Sequence, residues 1–229
     1  MTLPAIVNTA RALSYYTTLQ DITANNLANA TSDGFKGDMV TAHSLAGQSH
    51  PVPVQSVDLS QGTLRDTGRP LDVALQGHGF TVIQTPNGER LTRGGAYTLN
   101  PQGTLVDAHG DPVLGTGGPI SITGNKVDIK PDGTIVVDGA VAGKLRLETV
   151  ADPSTLVKEG AGRFIANGPT TDATDVGVHQ GTLEDSNVNS LLGSVDLVMI
   201  QRAYASGVDA LHTMDGVLGG VIELGRPPQ

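Results

Sequence analysis

The chain has 229 residues, enough to bury one ordinary core. Its 14 Lys and Arg stand against 23 Asp and Glu, and a formal charge of −9 excludes a partner held by phosphate neutralisation, so no nucleic acid is expected. Cysteine is absent, which rules out disulfides and thiolate metal sites. A hydrophobic fraction of 38% with 30 Gly, 13 Pro, 3 Phe and no Trp predicts many short strands around Val, Leu and Ile.

The first residues, Met1 to Ile6, show no cationic start and no apolar run of signal-peptide length, so export through a cleaved signal is not expected. No stretch approaches the roughly 20 apolar residues that span a bilayer, and membrane insertion is not expected either. Apolar or small residues recur at Ile6, Ala10, Leu13, Tyr16, Leu19 and Ile22, steps of three and four that predict a helix fading near Asn29 to Gly34. Residues 1–35 thus form an N-terminal helical segment. A polar connector with Pro51 and Pro53 follows over 36–63.

Over 64–186 the pattern becomes period two, as in Leu71, Val73 and Leu75 and in Leu145 and Leu147. Asn87-Gly88, Asn100 to Gly103, Asp132-Gly133 and Asp138-Gly139 supply the tight turns of an antiparallel β-domain with a return strand near its end. The last segment, 187–229, is a second helix capped by Asn187 or Asn189. Leu197, Ile200, Tyr204, Val208, Leu211, Met214 and Leu218 form its stripe. Val195, Val198 and Met199 fall on the flank or far side, so its first turns are apolar on more than one face.

The domain between the two helices does not obviously cover them. They either close on each other as a hairpin or pack between subunits, and the second arrangement is expected. Gly207, Gly216, Gly219 and Gly220 each cost a helix interior about 1 kcal/mol relative to Ala. Thr17, Thr18, Thr23, Asn25 and Asn26 weaken the first helix, so both ends are expected to be largely disordered in the free chain and to fold on assembly.

Three segments carry a family resemblance: Ala24-Asn25-Asn26-Leu27-Ala28-Asn29 running to Gly34-Phe35-Lys36; Arg69-Pro70-Leu71-Asp72-Val73-Ala74-Leu75; and Gly181-Thr182-Leu183-Glu184-Asp185-Ser186-Asn187-Val188-Asn189. With Gln201-Arg202-Ala203-Tyr204 in the last helix, the chain resembles the flagellar rod and hook protein family in the right order over nearly its whole length. Within the family it is most like the proximal rod members, with distal rod or hook-type subunits as the alternative. The resemblance implies an α+β fold, a central antiparallel all-β domain flanked by N- and C-terminal helices that pair in the assembled rod. It also implies a structural subunit that polymerises into a helical tube, transmits torque and conducts export. Its partners would be itself, other rod proteins and the flagellar type III export apparatus, its place the periplasmic rod of the basal body, and it would need no cofactor. The expected assembly interface comprises Ile6, Leu13, Leu19, Ile22, Asn25, Asn26, Leu27, Asn29, Phe35, Asn187, Asn189, Leu197, Ile200, Arg202, Tyr204 and Leu211. The amides of Asn25, Asn26 and Asn29 would either cap a helix end or reach across a subunit boundary.

Catalytic readings are poorer. The six His residues show no metal-binding spacing, and Asp107-Ala108-His109-Gly110-Asp111 reads as a hairpin turn before it reads as an acid-base cluster. A cell-wall hydrolase would need paired carboxylates among Asp128, Asp132 and Glu148, and a carbohydrate-binding β-module would need more exposed aromatics than 3 Phe and 4 Tyr provide.

Overall fold

The computed structural model describes residues 3–43 and 52–224. They form two compact units, one of residues 3–28, 38–43, 52–55 and 189–224, the other of 29–37 and 56–188. The chain passes between the two units four times.

The first unit is helical. Helix α1 (Leu3–Ala28) and helix α2 (Ser190–Leu224) pack on each other, and strands β1 (Asp38–His43) and β2 (Val52–Val57) form a two-stranded ribbon. Asn189, one of the two predicted caps, caps α2: its Oδ1 accepts the backbone N–H of Leu191 at 3.0 Å and of Leu192 at 3.1 Å. No helix among the described residues is long and apolar enough to cross a membrane.

The second unit is antiparallel β throughout its named pairings. In chain order its strands are β3 (Leu64–Asp66), β4 (Val73–Gln76), β5 (Phe80–Thr85), β6 (Gly88–Thr92), β7 (Thr98–Leu99), β8 (Leu105–Val106), β9 (Leu114–Gly115) and β10 (Gly118–Pro119). They continue with β11 (Val127–Ile129), β12 (Thr134–Val137), β13 (Ala140–Lys144), β14 (Leu147–Val150), β15 (Leu156–Gly160), β16 (Arg163–Ala166), β17 (Thr170–Asp172), β18 (Gly177–Gln180) and β19 (Thr182–Glu184). The largest sheet runs β15-β16-β6-β5-β14-β17, and the return strands β18 and β19 pair with β4 and β3.

Strand β5 shows why the apolar pattern is dense here. Phe80 and Val82 enter one core cluster, with Leu91, Leu114, Leu156 and Phe164, while Ile83 enters the other, with Val73, Tyr97, Leu105, Ile135 and Leu145. A strand covered on both faces has no solvent side to alternate with. Phe80 meets Phe164 edge to face at 5.5 Å, so two of the three phenylalanines are spent on one contact. Tyr97 is fully buried and shares a 2.7 Å hydrogen bond with the Thr81 hydroxyl; burial pushes its phenol pKa well up.

Strand β4 is held between β18 on one side and Gly95 on the other, where the Val73 N–H donates to the Gly95 carbonyl at 3.0 Å. A Cβ on Gly95 would lie 1.6 Å from the Val73 carbonyl oxygen, and backbone on backbone cannot relax cheaply. Gly95→Ala is therefore expected to cost more than about 3 kcal/mol, in the tail of point-mutant effects. Thermal unfolding of the purified variant checks this, and a melting temperature like the parent's would refute the close approach.

Candidate functional site

Helix pairing sets the geometry of the first candidate surface. An added Cβ on Gly207 would lie 2.8 Å from Leu13 Cδ2, and one on Gly193 would lie 4.0 Å from Leu27 Cδ1. Leu27 is as far along α1 from Leu13 as Gly193 is back along α2 from Gly207, so the helices run antiparallel. The closed hairpin is thus the arrangement within one chain, where packing between subunits was the expected one. Ile22 is buried; Ile6, Leu13, Leu19, Leu27, Leu197, Ile200 and Leu211 are half-buried. Glycine at 207 lets the helices approach closely, which offsets its poor helix propensity.

What the hairpin leaves uncovered lies on the opposite side of α2. Leu191, Leu192, Val195, Val198 and Met199 are between 48% and 74% exposed. At about 100° per residue they fall within an arc of about 120°, facing away from Leu197, Ile200 and Gly207. Exposed Arg202 follows on the same side. Tyr204, predicted within the buried stripe, is 38% exposed. Leu191 and Leu192 escaped the sequence reading because they precede the stripe, although two adjacent leucines in a first turn are a signal.

Asn26 ends α1 with a double bond to the next strand. Its Nδ2 donates to the Asp38 carbonyl and its Oδ1 accepts the Asp38 N–H, both at 2.8 Å, so this amide is used within the chain. Asn25 is exposed; Asn29 accepts the Ser32 N–H through its carbonyl at 3.1 Å.

The second candidate lies wholly in the β-unit, where residues flanking the passages meet. Glu184, at the end of β19, is buried. Its Oε1 accepts Lys36 Nζ at 2.6 Å and the Gly62 N–H at 2.9 Å; its Oε2 accepts Arg93 Nε at 3.1 Å. Lys36 also donates to the Ser60 carbonyl at 2.7 Å, and Arg93 to the carbonyls of Gly77 at 2.8 Å and Gly79 at 2.5 Å. Burial pushes the Lys36 ammonium and the Arg93 guanidinium down, and Glu184 opposes the fall in both. Two cations on one carboxylate make a dry cluster whose excess charge falls on backbone carbonyl dipoles.

Asn187 adds a neutral tie. Its Oδ1 accepts the Gly37 N–H at 2.7 Å, and its Nδ2 donates to the carbonyls of Asp58 at 2.8 Å and Ser60 at 3.2 Å. Asn187, the other predicted cap, therefore holds the β-unit together. Phe35 is buried in the same unit, with Lys158 Nζ 4.6 Å from its ring centroid.

Of the carboxylates considered for catalysis, Asp107, Asp111, Asp132 and Glu148 are engaged otherwise. Asp107 Oδ1 accepts the N–H groups of His109 and Asp111, as a turn requires, and Arg163 Nη2 contacts Asp107 at 2.7 Å and Asp111 at 2.5 Å. Burial raises the Asp107 pKa, but the Asp111 N–H and Arg163 outweigh it and hold the group below the usual range. Glu148 is bonded to Arg146 at 2.6 Å, and Asp132 accepts the Thr134 N–H and hydroxyl. Among the described residues no group of three or more His, Cys, Asp or Glu is placed to hold a metal ion.

Residues 74–137 match the model of the flagellar hook protein FlgE/F/G D1 domain, and residues 179–224 that of the flagellar basal body rod FlgEFG protein C-terminal region. The chain is 40% identical to the flagellar basal-body rod protein FlgF of Caulobacter vibrioides over 81% of its length and 83% of that protein. It is 33% identical to FlgF of Rhizobium meliloti over 87% of this chain and 88% of that one, and 30% identical to FlgF of Escherichia coli over 96% and 97%. Relatives named FlgG match at 28–29%. The chain belongs to the flagellar basal-body rod protein family, is of its proximal type, and serves as a structural subunit of the basal body that assembles with other rod and hook components.

Proposed function

We propose that this subunit polymerises with copies and relatives of itself into a helical tube, with the paired terminal helices making the contacts that propagate it. The observation that carries the reading is the apolar face of α2 from Leu191 to Met199, exposed on a helix whose other side is already occupied by α1. A contiguous apolar face in water is an interaction surface by default. Only contacts that join one surface to a different surface of the neighbour can continue into a filament, so this arc must meet an unlike surface of the next subunit.

In that tube torque passes through the subunit, and exported proteins pass along the bore. The chain reaches the periplasm unfolded through the flagellar type III apparatus. Its helices, weakened by Gly207 and by the threonines of α1, suit a route that passes the chain unfolded. The role is mechanical, and no reaction is assigned to it. Purified basal bodies carrying an epitope-tagged chain test the reading by electron microscopy. Label on the rod and loss of motility on deletion are expected; full motility in the deletion strain would refute it.

A further inference from the structure

The residues beside three of the four passages converge in the β-unit. Gly37 precedes one passage, Asp58 and Ser60 follow another, and Asn187 precedes the last. Each of these segments bonds the others. Asp58 N–H donates to the Gly37 carbonyl at 2.8 Å, Asn187 N–H to the Phe35 carbonyl at 3.3 Å, and Gly34 N–H to the Glu184 carbonyl at 2.6 Å. Asn187 reaches both other segments through one amide, and three residues before it Glu184 repeats the pattern by taking Lys36 and the Gly62 N–H on a single oxygen.

We propose that Asn187 and Glu184 are positioning residues that make these separate strands of backbone one mechanical anchor, so that tension entering along any passage is shared by the others. A backbone segment fixed only by its own strand pairing would peel bond by bond. Here pulling on the start of α2 must load the Asn187 amide bonds to Gly37, Asp58 and Ser60 together, and then the two ionic bonds of Glu184. Bonds loaded together resist a given force far better than the same bonds loaded in sequence. The half-buried neutral amide stands first and the dry charged cluster behind it, which suits a part that must yield reversibly before it fails. The physiological use of the anchor rests on the rod reading; the mechanical claim stands without it.

Single-molecule stretching of the full chain tests the anchor. The protein has no cysteine, so Ser190→Cys and Val141→Cys give two unique handles, one at the start of α2 and one on the exposed strand β13. With Asn187→Ala, the opening rate of the first event, extrapolated to zero force, is expected to rise at least about tenfold, equivalent to about 1.4 kcal/mol of barrier. Asn187→Asp keeps the acceptor for Gly37 but sets a carboxylate oxygen against the carbonyls of Asp58 and Ser60, and should raise the rate at least as much as Asn187→Ala. Asn100→Ala removes two turn bonds that share no partner with the anchor and should leave the first event unchanged. An opening rate within about twofold of the parent in Asn187→Ala, or an equal rise in Asn100→Ala, would overturn the proposal. Either result would leave the rod assignment untouched, whereas absence of the chain from basal bodies would remove that assignment and leave the stretching data standing.

Discussion

Replacing Glu184 by glutamine is expected to destabilise the β-unit by about 3–5 kcal/mol, because it leaves Lys36 and Arg93 charged, buried and without their counter-ion. Shape changes little in this substitution, so packing is not what is lost. The glutamine amide still offers one acceptor, but its NH2 group must face either Lys36 or Arg93, both of which only donate. Surface pairs of this protein offer no comparison. Arg65 with Asp33 and Asp185 is a half-exposed network of the kind that contributes about 0–1 kcal/mol. A charge origin makes a second, non-additive expectation. Lys36→Met added to Glu184→Gln removes one of the two stranded cations and should recover part of the loss, although Lys36→Met alone also breaks a bond. Urea unfolding of the single and double variants checks both, read as a shift of midpoint at constant slope. If Glu184→Gln shifts stability by less than about 1 kcal/mol, or if the double variant is worse than the single, the cluster is not held by charge.

That cluster was the part of the molecule least legible in the sequence, and the reasons are physical. Thr182, Leu183 and Glu184 are consecutive and all buried, so the period-two rule that places alternate residues in solvent has nothing to act on. Lys36 stands between Phe35 and Gly37 at the start of a polar stretch, the usual setting of a solvated lysine. Only the distant pairing of residues 148 positions apart makes its burial tolerable, and no local pattern encodes that. By contrast, α1, α2 and the Asp107 to Asp111 turn depend on neighbours within four residues, and each was readable. The choice between the two asparagines at the start of α2 was not local. Asn187 and Asn189 are equivalent as caps by type, and the tie of Asn187 to Gly37 and Asp58 settles which one remains for the helix.

The family resemblance was legible because it rests on ordered blocks, and two of the blocks prove to hold Lys36 and Glu184 of the cluster. Gly34-Phe35-Lys36 and Thr182-Leu183-Glu184 are the two ends of one ionic bond. Periodicity also found that α2 is apolar on more than one face. It did not find which face the chain itself covers, since that depends on the path of α1. The expectation of packing between subunits accordingly moves from the stripe through Leu197 and Leu211 to the opposite arc from Leu191 to Met199.

Charging that arc should separate folding from assembly. Leu192→Asp and Met199→Asp replace side chains that are already mostly in water, so the isolated chain is expected to keep its stability within about 0.5 kcal/mol. In a filament each of these side chains, once fully covered, contributes about 1.5–3 kcal/mol per contact, and a buried unpaired carboxylate adds a desolvation cost larger still. The double variant should therefore lose tens to hundreds of times in assembly affinity for each site, since every 1.4 kcal/mol is tenfold. The same substitutions on the covered face, such as Ile200→Asp, should instead open the α1–α2 hairpin itself. Export of the variants into the periplasm, their urea unfolding and their incorporation into purified basal bodies together distinguish the cases. Exported, stable and unincorporated is the expected pattern for Leu192→Asp with Met199→Asp. Incorporation at the parent's level would mean that this arc stays wet in the rod and that the subunit is held by other surfaces.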